Sequence, residues 1–314
     1  VIAVDMFAGV GGWTEAAESL GLQVVVAANH NPVAVAAHQA NHPRVRHVQQ
    51  DLQQADFRQW PRHDVLLSSP ACQGHSQAAT NGGGPRRGTA PKHDADRSTA
   101  WAVVTCAEVH RPPVVLVENV PEMRSWVLYG AWAGAFADLG YCRHELLLDA
   151  ANYGVPQERR RLFVVFTLDA RPDLGPPPVQ PRIPARAIVD LRRRAGWKPV
   201  RLAAPGVRSR CATGRANFPA GPFVTHSVTA HPGRSLDRPL GTVTTVPGHW
   251  GLVRASSGGD EYRLLTIDEL RAAMGFRPGY WLPPTQKDAT RLLGNAVPPP
   301  LGAAVLRHVL GEVA

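Results

Sequence analysis

The chain has 314 residues, 44% hydrophobic and 19% charged, so it is ordinary globular material, long enough for a buried core and, as a prior, for about two domains. Its 34 basic and 25 acidic side chains leave a net charge of +9, which points to a polyanionic partner. No apolar run reaches the ~18 residues of a membrane span and no basic-then-apolar leader opens the sequence.

The first ~168 residues alternate strand-like and helix-like stretches. VIAVDMF runs into the glycine-rich turn FAGVGG at 7–12 and a helix over about 13–20. QVVVAAN is followed by a helix over about 32–40, then by RHVQQ and HDVLLSS. A polar, glycine-rich loop comes next, then a helix over about 98–110, PVVLVEN, a helix over about 126–139, HELLLDA and RRLFVVFTL. Strands this apolar are buried on both faces, which predicts an α/β fold with a doubly wound, mostly parallel sheet whose ligands sit at the carboxyl ends of the strands. Near the end, YRLLTIDELRAAMGF predicts a strand end and a helix with Thr266 and Glu269 as a capping box. RLLGNAVPPPLGAAVLRHVLG reads as a turn and a last helix whose Leu301, Val305, Leu306 and Val309 face packs on the first domain.

The charge is not spread evenly. Residues 171–238 hold 13 Arg and Lys against 3 Asp and Glu, a net +10, while the rest of the chain holds 21 against 22, a net −1. The same 68 residues carry 17 Pro and Gly, so they are expected to be loop-rich with short strands. Nearly all the cations are arginine, which suits phosphates and guanine edges. This basic segment is the core of a smaller domain expected over 169–290, beside a larger one over 1–168 plus 291–314.

Chemistry-bearing residues cluster where strands end. The turn at 7–12 lets a backbone approach a ligand closely, although a tight structural turn is as good a reading of it alone. Cys72 lies just past the HDVLLSS strand, on a polar loop long enough to act as a lid. Cys72, Cys106, Cys142 and Cys211 form no C-x-x-C pair, which argues against a zinc cluster or a disulfide framework and makes a reducing cytoplasm the expected compartment. Glu118 and Asn119 end a buried strand, where an ionised carboxylate is costly unless paired. In QERRR, Arg159 and Arg161 are expected on one strand face, as a donor fork, with Arg160 on the other.

Taken in order, FAGVGG, SSPACQGHS, VENV, QERRR and GNAV resemble motifs I, IV, VI, VIII and X of the cytosine-5 DNA methyltransferase family. The resemblance covers the chain except about 171–238, where that family keeps its variable target-recognition region. It implies a Rossmann-like methyltransferase sheet with a smaller, loop-rich target-recognition domain. It also implies S-adenosylmethionine as cofactor, double-stranded DNA as partner, no metal, a monomer in the cytoplasm or nucleoid, and in some cases a cognate restriction endonuclease.

By that resemblance Cys72 is the nucleophile, Glu118 the acid beside ring nitrogen 3 and Arg161 a donor to the base carbonyl, with Arg159 and Asn119 in support. Phe7, Ala8, Gly9, Gly11, Gly12, His30, Asn31, Asp51, Leu52, Pro70, Asn295 and Val297 are assigned to the cofactor. Gln73, Ser76, Arg97, Arg192, Arg193, Arg208, Arg210 and Arg215 are assigned to DNA. The family usually has proline where Ala71 stands, phenylalanine where His75 stands, and a glutamate at the His30 position that grips both ribose hydroxyls; a neutral imidazole accepts only one hydrogen bond. Three other readings stay open: a tRNA cytosine-5 methyltransferase, a catalytically inactive DNA-binding regulator, and a nicotinamide-dependent oxidoreductase. The glycine pattern and the arginine block disfavour the last.

Overall fold

The computed structural model describes residues 1–71, 98–169, 174–227 and 231–311. The chain divides into two compact units. The first comprises Val1–Asp149, Arg160–Pro178 and Pro299–Ala314; the second comprises Ala150–Arg159 and Val179–Pro298.

The first unit is built on a seven-stranded sheet. Its strands are β1 (Ile2–Met6), β2 (Gln23–Asn29), β3 (Arg46–Gln49), β4 (Val65–Ser68), β5 (Val114–Asn119), β6 (Cys142–Asp149) and β7 (Arg160–Thr167), in the order β3-β2-β1-β4-β5-β7-β6. The five strands β1 to β5 are mutually parallel, and β7 is inserted antiparallel between β5 and β6. This is the mostly parallel, doubly wound sheet that the apolar strands predict. Val115, Leu116, Val117, Val164 and Val165 have no exposed surface, because helices cover both faces.

Those helices are α1 (Gly12–Ser19), α2 (Pro32–Asn41), α3 (Ala100–His110), α4 (Tyr129–Asp138) and a late one, here α8 (Pro299–Leu310). Helix α2 begins where Asn31 caps it: the Asn31 side chain accepts from the N–H groups of Val33 and Ala34, and Pro32 supplies a preset φ at the first position. Helix α8 packs on α1 as its apolar face predicts. Leu301, Val305, Leu306 and Val309 are fully buried, and a Cβ added at Gly302 would stand 3.0 Å from the Ala16 methyl and 3.3 Å from the Trp13 ring. On another face, Phe136 and Phe166 stack with centroids 3.9 Å apart, and Trp132 meets both edge-on. The helix expected over 126–139 is shorter than predicted: a 3₁₀ turn at Pro121–Ser125 precedes it and α4 starts at Tyr129.

The second unit carries a five-stranded antiparallel sheet, β10-β9-β11-β12-β8, from β8 (Lys198–Pro199), β9 (Phe223–His226), β10 (Arg234–Ser235), β11 (Trp250–Ser256) and β12 (Gly259–Leu264). Its helices are α5 (Pro205–Asn217), α6 (Ile267–Ala273) and α7 (Gln286–Asn295). The capping box of Thr266 and Glu269 opens α6 as predicted. RLLGN, read from the sequence as a turn, is instead the last part of α7; the helix begins upstream at Thr285, whose side chain accepts from the N–H of Asp288.

Residues 150–159 and 291–298 cluster with this unit because of two buried side chains. Gln157 donates to the carbonyl of Ala273 and accepts from the N–H of Val243. Arg159 donates to the carbonyls of Val243, Gly294 and Ala296.

A buried ion pair in this unit is Arg263–Glu269, at 2.6 Å with side chains only 2% and 6% exposed. The same two groups fix the backbone of Asp190: Arg263 donates to its carbonyl and Glu269 accepts from its N–H. Removing one partner strands the other in an apolar interior. Arg263→Met is expected to lower the unfolding free energy by about 3–5 kcal/mol in urea titrations.

Candidate functional site

Because β1 to β5 are parallel, their carboxyl ends emerge at one edge of the sheet. In strand order across that edge stand Asp51 and Leu52 after β3, His30 and Asn31 after β2, the 7–12 turn after β1, Pro70 after β4, and Glu118 and Asn119 at the end of β5. The order reverses between β1 and β4, which is where ligands of open α/β sheets bind. Strand β7 runs the other way, so its first residues lie at this edge too, with Asn119 opposite Leu162. Topology alone brings Arg161 beside Glu118.

The glycine-rich turn has the backbone its composition permits. Gly9 and Gly11 have φ of 55° and 101°, and Gly11 is the N-cap of α1 without a side-chain cap. Phe7 shares the left-handed region at φ 58°, a conformation costly for a residue with a Cβ and concentrated at ligand sites. The positive end of a helix and the partly exposed backbone of the turn, where a Cβ at Gly9 would meet the Phe7 carbonyl oxygen at 3.9 Å, suit a ligand with a carboxylate lying against backbone. His30 and Asp51 are exposed, available to polar groups of a ligand, whereas Leu52 is buried beneath them. The Asp51 carboxylate accepts from the N–H of Gln53 as an N-cap. The Asn31 side chain is occupied in capping α2.

At the end of β5, Glu118 is nearly buried and pairs with Arg161, Nε to Oε1 at 3.0 Å. The carboxylate that the sequence marked as costly therefore has its cation. Asn119 donates its amide to the carbonyl of Pro70 at 3.0 Å and accepts from the N–H of Val120. The N–H of Ala71 donates to the Thr99 hydroxyl of the turn before α3. The chain entering the 72–97 segment is thus held from β5 and from α3. Cys72, Gln73, His75, Ser76 and Arg97 lie outside the described residues.

The remaining cysteines have other environments. Cys106 is fully buried and burial pushes its thiol up; Cys211 is buried too, its thiol pushed up to about 11; Cys142 is exposed on an edge strand.

Arg159 does not join Arg161 in the fork expected from strand alternation. It precedes β7, belongs to the second unit, and spends both Nη atoms on backbone carbonyls. Its role there is to brace the strand of chain that carries Asn295 and Val297. Arg215, expected on DNA, is likewise turned inward: it pairs with Asp260 at 2.8 Å and donates to the carbonyls of Phe218 and Gly221.

Sequence reasoning treated the basic block as uniform, and the structure divides it. Arg182, Arg234 and Arg238 converge on Glu158, Arg186 pairs with Asp237, and Arg215 with Asp260. Among the described residues, Arg192, Arg193, Arg194, Lys198, Arg201, Arg208 and Arg210 form no ion pair with a carboxylate, and all but Arg210 are exposed. The turn that carries Arg192, Arg193 and Arg194 is held by its own hydrogen bonds. The Asp190 side chain accepts from the N–H groups of Arg192 and Arg193, and the Trp197 indole donates to the carbonyl of Arg193. Arg254 stacks 4.0 Å above the Trp197 ring. Sequence gave no sign of Trp197 or of Arg194 and Arg201 as members of this surface.

A family model for C-5 cytosine-specific DNA methylases matches residues 2–187. The chain belongs to that family. Among curated relatives, it is 31% identical to the Type II methylase M.HgiEI of Herpetosiphon aurantiacus over 168 residues, 52% of this chain and 36% of that protein. It is 23% identical to the Type II methyltransferase M.MspI of Moraxella sp over 320 residues, 98% of this chain and 69% of that one. The chain thus spans only about a third of the length of the first relative. In fold it is similar to a DNMT2 variant from Spodoptera frugiperda, with a TM-score of 0.70 at 18% identity over 98% of this chain and 99% of that one. No helix among the described residues is long and apolar enough to cross a membrane.

Within this methylase-family site the Glu118–Arg161 contact is the best-defined charged pair. A double-mutant cycle on Glu118→Gln and Arg161→Met is expected to give a coupling energy of about 1–3 kcal/mol in denaturant unfolding; no coupling would mean that the two charges are solvated separately.

Proposed function

We propose that the chain is an S-adenosylmethionine-dependent DNA cytosine-5 methyltransferase acting on duplex DNA. The observation that carries this is the alignment, at one edge of a parallel sheet, of the glycine turn, the loop entering Cys72 and the Glu118–Arg161 pair. The turn, His30 and Asp51 would hold the cofactor, which, when bound, supplies an electrophilic methyl group.

Carbon 5 of cytosine is a weak nucleophile. Addition of the Cys72 thiolate to carbon 6 makes the ring an enamine that is nucleophilic at carbon 5; once carbon 5 is methylated, its proton is lost to solvent and the thiolate is eliminated from carbon 6, which restores the ring. An ordinary thiol of pKa about 8.5 is only a few per cent ionised at neutral pH. Glu118, carrying a proton when the base is bound, answers this by giving it to ring nitrogen 3 as the thiolate adds, and Arg161 by donating to the base carbonyl, so that negative charge does not build up on the ring. Asn119 acts by holding the Pro70 carbonyl, and with it the start of the loop that carries Cys72. The target base must leave the stack, at a cost of a few kcal/mol. The unpaired cations between Arg192 and Arg210 suit the phosphate backbone.

Incubation with methyl-tritiated S-adenosylmethionine is expected to label carbon 5 of cytosine in duplex DNA, and Cys72→Ser to reduce labelling at least ~1,000-fold while DNA is still bound. Label in tRNA but not DNA would move the substrate to RNA; label in neither would point to an inactive binding protein. Replacing Arg192, Arg193 and Arg208 by alanine is expected to flatten the slope of log affinity against log salt by roughly 3, whereas Arg215→Ala would act on stability and leave that slope unchanged.

A further inference from the structure

A buried chain of polar side chains lies under the glycine turn and plays no part in the chemistry above. Asp5 on β1 and Thr14 on α1 flank the 7–12 turn, and the Thr14 hydroxyl donates to Asp5 Oδ2 at 2.8 Å, closing the turn from beneath. His38 on α2 continues the chain, with Nε2 3.0 Å from the Thr14 oxygen and Nδ1 2.8 Å from Nε2 of His47 on β3. Asp5, Thr14 and His38 are at most 1% exposed.

When Asp5 is ionised, Thr14 spends its proton on it and its oxygen is left to accept from His38 Nε2–H, with His38 Nδ1 against His47 Nε2. The chain links β1, α1, α2 and β3. Those four elements carry, at their ends, the glycine turn, His30 with Asn31, and Asp51 with Leu52. We infer that Asp5, Thr14 and His38 are positioning residues for the cofactor, straightening the 7–12 turn and tying it to the ends of β2 and β3. This rests on the cofactor reading of that edge.

The strap responds to pH through its terminal acceptor. Burial pushes Asp5 up to about 7, against the weaker pull of its hydrogen bonds from Thr14, and its Oδ1 has no hydrogen-bond partner among the described residues. The charged and titratable groups around it are His38 and His47, both held low chiefly by burial, and His42, whose ring is 4.8 Å from His38 and which contacts Glu18 at 2.7 Å and Glu15 at 3.8 Å. Beside Asp5 in the sheet stand the neutral Ala27 and Leu67.

An ionised Asp5 accepts a charge-assisted bond from Thr14, whereas a protonated Asp5 shares only a neutral bond with it, so the strap is stronger above about pH 7 than below it. Folding stability runs the opposite way. A carboxyl raised on folding contributes stability that is full below the ordinary value of 3.8 and is lost as pH rises through about 7.

The test is calorimetric titration of S-adenosylmethionine into the full chain, wild type, Asp5→Asn, Thr14→Val and Thr14→Ser, between about pH 6 and about pH 8, with thermal unfolding of each cofactor-free form. Thr14→Val is expected to bind about tenfold more weakly at the upper pH and Thr14→Ser to recover within about twofold. Asp5→Asn, which is isosteric and keeps an acceptor for Thr14, is expected to melt higher than wild type at the upper pH. It should also lack the part of the affinity gain with pH that Asp5 supplies. Titration of the ligand's own amino group is common to all four forms, so the difference between profiles is the readout. Parallel affinity profiles for wild type and Asp5→Asn, or wild-type affinity in Thr14→Val, would overturn the inference alone. Absence of binding by every form would overturn the cofactor reading on which it rests. Should Thr14→Val fail to fold, the Asp5→Asn profiles decide.

Discussion

The common direction of β1 to β5 is the constraint on which the rest of the molecule depends. Parallel strands must be joined by crossovers, and the crossovers here are the helices that bury both faces of the sheet. A consequence is that every strand delivers its last residue to the same edge, whatever its place in the sequence. Residues as far apart as Phe7, His30, Asp51, Pro70 and Asn119 become neighbours on a line without any long-range interaction devised for the purpose. The single reversal, β7 inserted antiparallel beside β5, adds to that line the one group that strand ends could not supply, the Arg161 guanidinium.

Burial then sets the character of each group. Glu118, at the end of an apolar strand, has the Arg161 guanidinium 3.0 Å away as its charge partner. Asn119 has no room to do anything but hydrogen-bond, and it bonds to the carbonyl of the loop it must hold. Asp5 has no cation beside it, only the Thr14 hydroxyl, and its affinity for a proton rises accordingly. Three acidic or amide groups in one sheet thus acquire three different properties from their nearest partners.

The arginines show the same division. The guanidinium fork is equally good at holding backbone carbonyls, neutralising a buried carboxylate and meeting phosphate. Arg159 and Arg215 do the first, with Arg215 also pairing with the half-buried Asp260; Arg263 does the second and ties down Asp190 as well. Within the basic segment, Arg192, Arg193 and Arg194 keep their charges outward on a turn held by Asp190 and Trp197, and Arg201 and Arg208 keep theirs outward beyond it. A sequence count treats all of these alike, so the basic block looked uniform before the side-chain partners were known.

The fold class, the strands and the capping box on Thr266 were legible in the residues because each rests on local rules: apolar runs, glycine turns and side chains that cap their own helix. The motif order likewise needed only succession along the chain, and it led to the family that residues 2–187 match. The uses of Arg159 and Arg215 were not legible, because they depend on contacts between residues distant in sequence. The sequence by itself determined which chemical groups are present and in what order. Which of them face a ligand, which are consumed as braces, and which sit under the turn as a buried strap was decided by tertiary structure. The physical reason is that a side chain's charge state and free hydrogen-bonding capacity are properties of its neighbours in space, and neighbours in space exist only once the sheet has formed.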